Sequence, residues 1–63
     1  MKQYDVAILR RDINPVIKKG MRGVILEVLE KGTYIAEFVK EDGRNYEYNG
    51  EGTFILTDDD FDQ

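Results

Sequence analysis

The sequence predicts an all-β domain, and three observations carry that reading. Apolar residues alternate with polar ones in short runs, and no window holds an apolar stripe at helical spacing long enough for a core helix. Turn-forming pairs built on glycine recur along the chain at roughly ten-residue intervals, the spacing of a small barrel or sandwich. With 63 residues the chain has room for one domain, residues 1–63, and a domain of that size buries only about 60% of the surface its unfolded form exposes. Cysteine and histidine are both absent, which excludes disulfides, zinc-thiolate sites, cysteine nucleophiles and imidazole bases together. Stability must therefore come from apolar packing in a short sheet closed on itself, or from burial against a partner.

The first strand is Val6 to Leu9, apolar enough to be covered on both faces, and it ends at the charged pair Arg10 and Arg11. A long loop follows, in which Asn14-Pro15 fixes a turn because proline sets φ and pushes its predecessor towards extended backbone. The second strand spans Val24 to Leu29. Lys31-Gly32 then reverses the chain into "TYIAEFVK", and Asp42-Gly43 reverses it again with the pair favoured in type I′ hairpin turns. "RNYEY" reads as a fourth strand, Asn49-Gly50 as another hairpin turn, and "TFIL" as a fifth strand. In the closing "TDDDFDQ", Thr57 or Asp58 caps a single helical or 3₁₀ turn, whose first-turn carboxylates suit the positive end of its dipole. Phe61 is expected to fold back as a plug over one open end of the barrel while the aspartates stay in water.

The stretch "KKGMRGVILEV" sets two glycines beside three cations. A loop that cradles phosphate leads its glycines into a helix N-terminus, usually with Lys-Ser/Thr attached. Here Gly20 and Gly23 lead into a strand, so their expected service is to the backbone: a diverging turn and a close strand crossing.

A long loop after the first strand, a glycine-flanked entry to the second, a meander and one late turn together resemble an SH3-like barrel. "GMRGVILEV", "GTYIAEFV" and "EDGR" are more closely similar to a family of short bacterial proteins of unknown function with SH3-like barrels, in which Gly-x-x-Gly-x-Val precedes Tyr-x-x-Glu-Phe and Asp-Gly. The resemblance covers Asp5 to Thr57 and rests mainly on Gly20, Gly23, Tyr34, Glu37, Phe38, Asp42 and Gly43. It implies a five-stranded SH3-like barrel, and it is compatible with an immunity or antitoxin role in which a small chain blocks a bacterial toxin. The same glycine element is similar to the barrel motif of ribosomal proteins and transcription-elongation factors, which implies a nucleic-acid alternative. Ile35 stands where the family pattern is usually polar, and "NGEG" lengthens the last hairpin.

Charge is divided along the chain. Residues 1–40 carry 8 cations and 5 anions, whereas residues 41–63 carry 1 cation and 8 anions. The acidic half interleaves Tyr46, Tyr48, Phe54 and Phe61 with its carboxylates, a composition suited to a cationic partner surface. Ile35, Tyr46, Tyr48, Asp58, Asp59 and Asp62 are accordingly the candidate partner-binding residues. Arg10, Arg11, Lys18, Lys19 and Arg22 flank the long loop and form the competing candidate, a rim that tracks a nucleic-acid backbone. Against that rim stands the acidic pI of about 4.6, since a nucleic-acid-binding barrel usually combines exposed aromatic platforms with a basic overall balance.

With a two-residue turn at Lys31-Gly32, Ile25 falls opposite Phe38, Glu27 opposite Ala36 and Leu29 opposite Tyr34. Val24, Leu26, Val28, Ile35 and Val39 then crowd the other face. A barrel buries one face of each strand, so the surplus calls either for a bulge in the second strand or for an interface centred on Ile35, in a homodimer or a complex.

Catalysis has little support in the sequence: Asp58, Asp59, Asp60 and Asp62 share a terminal turn, not a cleft that splits their pKa values. "DDDFDQ" lacks the ligand spacing and glycine of a calcium loop. The sequence therefore predicts a non-enzymatic, cytoplasmic protein-binding chain with no cofactor or metal and no membrane segment.

Overall fold

A computed structural model describes residues 1–62. Five strands form one antiparallel sheet: β1 (Val6–Leu9), β2 (Arg22–Glu30), β3 (Thr33–Phe38), β4 (Phe54–Thr57) and β5 (Phe61–Asp62). Their order across the sheet is β4-β3-β2-β1-β5, so β4 and β5 occupy the two edges. Only the 3₁₀ turn Asp58–Asp60 separates those two strands in sequence. Laid flat, strands at about 4.8 Å spacing would hold the edges about 19 Å apart, whereas three 3₁₀ residues rise only about 6 Å. The sheet must curl to satisfy both.

Curling gathers the inward side chains into one core. Leu9, Ile17, Ile25, Phe38 and Phe61 are its largest fully buried members, and no polar residue is buried among the described residues. Leu9 and Phe61 are cross-strand partners, which anchors β5 to β1. Phe61 is buried as expected, but as a strand residue paired with Leu9. Ile17 reaches the core from the long loop, which Asn14 orders by accepting the backbone N–H groups of Val16 and Ile17 at 2.9 and 2.8 Å.

Gly20 has φ +91°, a conformation costly for any residue with a Cβ. Gly23 has a different reason: a Cβ there would lie 2.6 Å from the Phe38 ring. Both glycines of "KKGMRGVILEV" therefore serve the backbone and packing, at the corner where the long loop returns to the sheet.

The hairpin of β2 and β3 departs from the simple register. Glu30 pairs with Thr33, as a two-residue turn requires, but Val28 pairs with Tyr34, Glu27 with Ile35 and Ile25 with Ala36. Leu29 and Leu26 are the extra residues at two irregularities, each slipping the register by one. The pairing of Ile25 with Phe38, of Glu27 with Ala36 and of Leu29 with Tyr34 is thereby corrected. Slippage moves Val28 to the side of Tyr34 and aligns Ile25 with the buried Ala36. Gln3 Nε2 donates to the Leu26 carbonyl at 3.1 Å, satisfying an acceptor beside the first bulge.

"RNYEY" is not a strand. Only isolated bridges join Val39 to Asn45 and Tyr48 to Glu51, and the fifth strand is instead Phe61–Asp62. The Asp42-Gly43 turn is not type I′ either. Lys40 C=O accepts the Gly43 N–H at 2.9 Å, Lys40 N–H donates to Arg44 C=O at 2.7 Å, and only Gly43 takes positive φ, the pattern of a three-residue loop with a glycine bulge. Asn49-Gly50 does match expectation: both residues have positive φ, and Tyr48 and Glu51 exchange two backbone hydrogen bonds at 3.0 Å.

Candidate functional site

Side chains alternate across a strand, so every inward row implies an outward one. On β3 and β4 the inward residues are Tyr34, Ala36, Phe54 and Leu56, which leaves Ile35 and Ile55 as directly opposed neighbours on the outer face. Ile35 is half-buried, whereas Ile55 is 69% exposed. Val24 sits diagonal to Ile35 through its partner Glu37, and Val6, 57% exposed, pairs with Val24. An apolar stripe thus crosses the outer face of the sheet. The bulged end of β2 does not hide the rest of the apolar surplus, since Val28, Leu29 and Val39 are exposed as well.

An open depression of about 550 Å³ adjoins Ile55. Ile13 of the long loop, Ile35 and residues 51–55 line it. Because Ile13 packs on the core side and Ile55 stands on the outer face, the depression runs along the edge of β4.

The acidic turn is only partly available. Tyr34 donates its hydroxyl to Asp58 Oδ1 at 2.5 Å, so Asp58, one of the candidate partner-binding acids, also serves the fold. That carboxylate, with burial second, holds the Tyr34 phenol above its usual pKa range. Asp60 accepts the Thr57 backbone N–H at 2.9 Å and pairs with Arg11 Nε at 2.8 Å. Asp59 and Asp62 remain exposed. Tyr46 and Tyr48 are half-buried and pack against the core, with Lys40 Nζ 5.5 Å from the Tyr46 ring centre, so they support the surface more than they present it.

The rim cations come from segments that adjoin, and two of them face a carboxylate. Arg10, Arg11, Lys18 and Lys19 meet at the mouth of the long loop, where Gly20 N–H donates to Leu9 C=O. Arg11 is held by Asp60, and Lys18 lies 3.8 Å from Asp12, whose other oxygen accepts the Lys19 backbone N–H. Arg22 stands in one cross-strand row with Ile8 and Asp62. Arg11 and Lys18 thus face a carboxylate, whereas Ile8 separates Arg22 from Asp62.

Sequence reasoning centred the apolar surface on Ile35 and missed Ile55, Val6 and Ile13. The alternation of "TFIL" could have found Ile55, since buried Phe54 and Leu56 force the residue between them outward. Ile13 carried no such signal. Among the described residues no helix is long and apolar enough to cross a membrane, and no group of three or more acidic, cysteine or histidine residues is placed to hold a metal.

What the fold and surface define is an all-β chain with a curled antiparallel sheet and an apolar, acid-flanked outer edge. Comparison with protein-family models, curated proteins and solved structures finds no match for it.

Proposed function

We propose that this chain is a non-enzymatic protein-binding module built on an SH3-like barrel, and that its partner is a basic protein met through the Ile35–Ile55 surface. The observation that carries the reading is Ile55, a large apolar residue 69% exposed in a segment without a cation: from Asn45 to Asp62 there are six carboxylates and no lysine or arginine. Apolar area at the centre of such a surface supplies affinity, while exposed like charges around it speed encounter with an opposite field. The barrel reading is supported by the joining of two edge strands through a three-residue turn. Blocking a basic toxin or nuclease, in the manner of an immunity protein, is the use that best fits these electrostatics.

The test is retention of a partner from host-cell extract on the immobilised chain and on an Ile55→Lys variant. A protein of basic pI held by the first and lost by the second supports the reading. RNA or DNA binding that falls steeply with salt and needs Arg10, Lys19 and Arg22 would replace it with the nucleic-acid reading.

A further inference from the structure

We propose that the free edge of β4 receives an extended, lysine- or arginine-rich segment of the partner as an added strand. The proposal rests on the protein-binding reading and names the mode of contact. Backbone polarity along β4 follows from one bond: Asp58 N–H donates to Gly32 C=O at 3.1 Å. Hydrogen-bonded and non-hydrogen-bonded pairs alternate in an antiparallel ladder, so Leu56 with Tyr34 and Phe54 with Ala36 are the bonded pairs. Ile55 and Thr57 must then aim their N–H and C=O groups away from β3, towards the open edge. Thr57 verifies this, because its N–H is taken by the Asp60 carboxylate and not by β3.

That carboxylate blocks one end of the edge, in the way natural sheets blunt their edges. Ile55, and by the same alternation Thr53, keep their outward groups beside the depression that Ile13 and Ile35 also line. Main-chain pairing there would be joined by burial of alternate apolar side chains of the incoming strand.

Charge selects the occupant. A second copy pairing antiparallel about Ile55 would set Thr53 opposite the already capped Thr57 and bring the acidic flanks beyond the strand, Glu51 of each chain and Asp59 of the other, towards one another. Like charges brought together in this way oppose pairing. A segment with cations at its ends and alternate apolar residues between them would instead set the apolar row beside Ile55 and bring the cations to Glu51 and Asp59.

The probe is the acetylated, amidated peptide KKVTITVKK, whose Val-Ile-Val row shares one face and whose end lysines reach Glu51 and Asp59 when its Ile stands opposite Ile55, titrated into isotope-labelled protein beside the equally charged block sequence KKKKTTVIV. The alternating peptide is expected to bind at least tenfold more tightly and to slow hydrogen exchange at the Ile55 amide at least tenfold. N-methylation of its alternate residues is expected to cost tenfold or more in one of the two frames, a test that leaves the protein unaltered. Equal binding by both sequences, or by both N-methylated frames, or an unchanged Ile55 amide, would overturn the edge-pairing mode while the Ile55→Lys retention experiment still decides the broader reading. Slowing of Ile55 exchange with protein concentration alone would give the edge to a second copy and overturn the proposal too.

Discussion

The hydroxyl of Tyr34 and the carboxylate of Asp58, 24 residues apart in sequence, meet at 2.5 Å and tie the start of β3 to the turn between β4 and β5. The folded chain holds the Tyr34 proton more tightly than the unfolded chain does. This contribution to stability is whole below about pH 10, the ordinary tyrosine value, and is lost as pH rises through the higher folded value. Tyr34→Phe is therefore expected to lower the melting temperature at neutral pH and to flatten the alkaline limb of the stability profile. A variant as sensitive to alkali as the wild type would assign that limb elsewhere.

Gly23→Ala is expected to destabilise by about 1–3 kcal/mol, since the new methyl overlaps the Phe38 ring and the core must shift. The cost should shrink in a Gly23→Ala, Phe38→Leu double variant relative to the sum of the single changes, because the two sites are in contact. Strict additivity in chemical denaturation would show that the strain lies in the backbone and not against the ring.

Ile55→Lys is expected to leave stability within about 0.5 kcal/mol, as substitutions at open surface positions usually do. Partner retention should nevertheless fall sharply. Sedimentation of the wild type at micromolar to millimolar concentration separates the two uses of the stripe: a dimer dispersed by Ile55→Lys would make the surface a self-interface.

Replacing both Asp59 and Asp62 with Asn is expected to slow association with a basic partner while changing dissociation little, because exposed charges steer encounter more than they hold a complex. Asp60→Ala should behave differently. It removes the carboxylate that caps Thr57 and pairs with Arg11, at a cost of about 1.5–3 kcal/mol in stability. Stopped-flow association and thermal melts on the two variants distinguish an acid that recognises from an acid that folds.

The local elements were legible because each is set by nearby residues. Val6–Leu9 is the run of apolar residues before Arg10, Asn49-Gly50 is forced into its turn by the need for two positive φ values, and Thr57 opens a 3₁₀ turn because the capping groups lie next to it. What escaped was set by distant parts of the chain. "RNYEY" has strand composition, yet the long connection from β3 to β4 gives it only single bridges, and Phe61–Asp62 has too little length to signal a strand before β1 offers it an edge. Bulges at Leu26 and Leu29 reconcile the stretch Gly23 to Glu30 of β2 with the two-residues-shorter Thr33–Phe38 of β3, a mismatch that no window of either strand reveals. At the surface, Ile35 was visible as an apolar residue too many, but its prominence passed to Ile55 once the sheet was assembled. Asp58 was visible as an acid, and its claim by Tyr34 was not.

The covalent link from β4 through Asp58–Asp60 to β5 also has a consequence for biosynthesis. As the chain leaves a ribosome, β1 is among the first segments free to fold, yet its outer edge waits for Phe61 and Asp62, which emerge after every other strand. Until then Leu9 lacks the ring that covers it. Until those residues emerge the partly made sheet carries an exposed apolar seam, and Phe61 and Asp62 act as a clasp whose arrival converts a set of hairpins into a cooperative unit. Shortening the chain before Phe61 should therefore yield a collapsed, dye-binding state, not a slightly weakened native one.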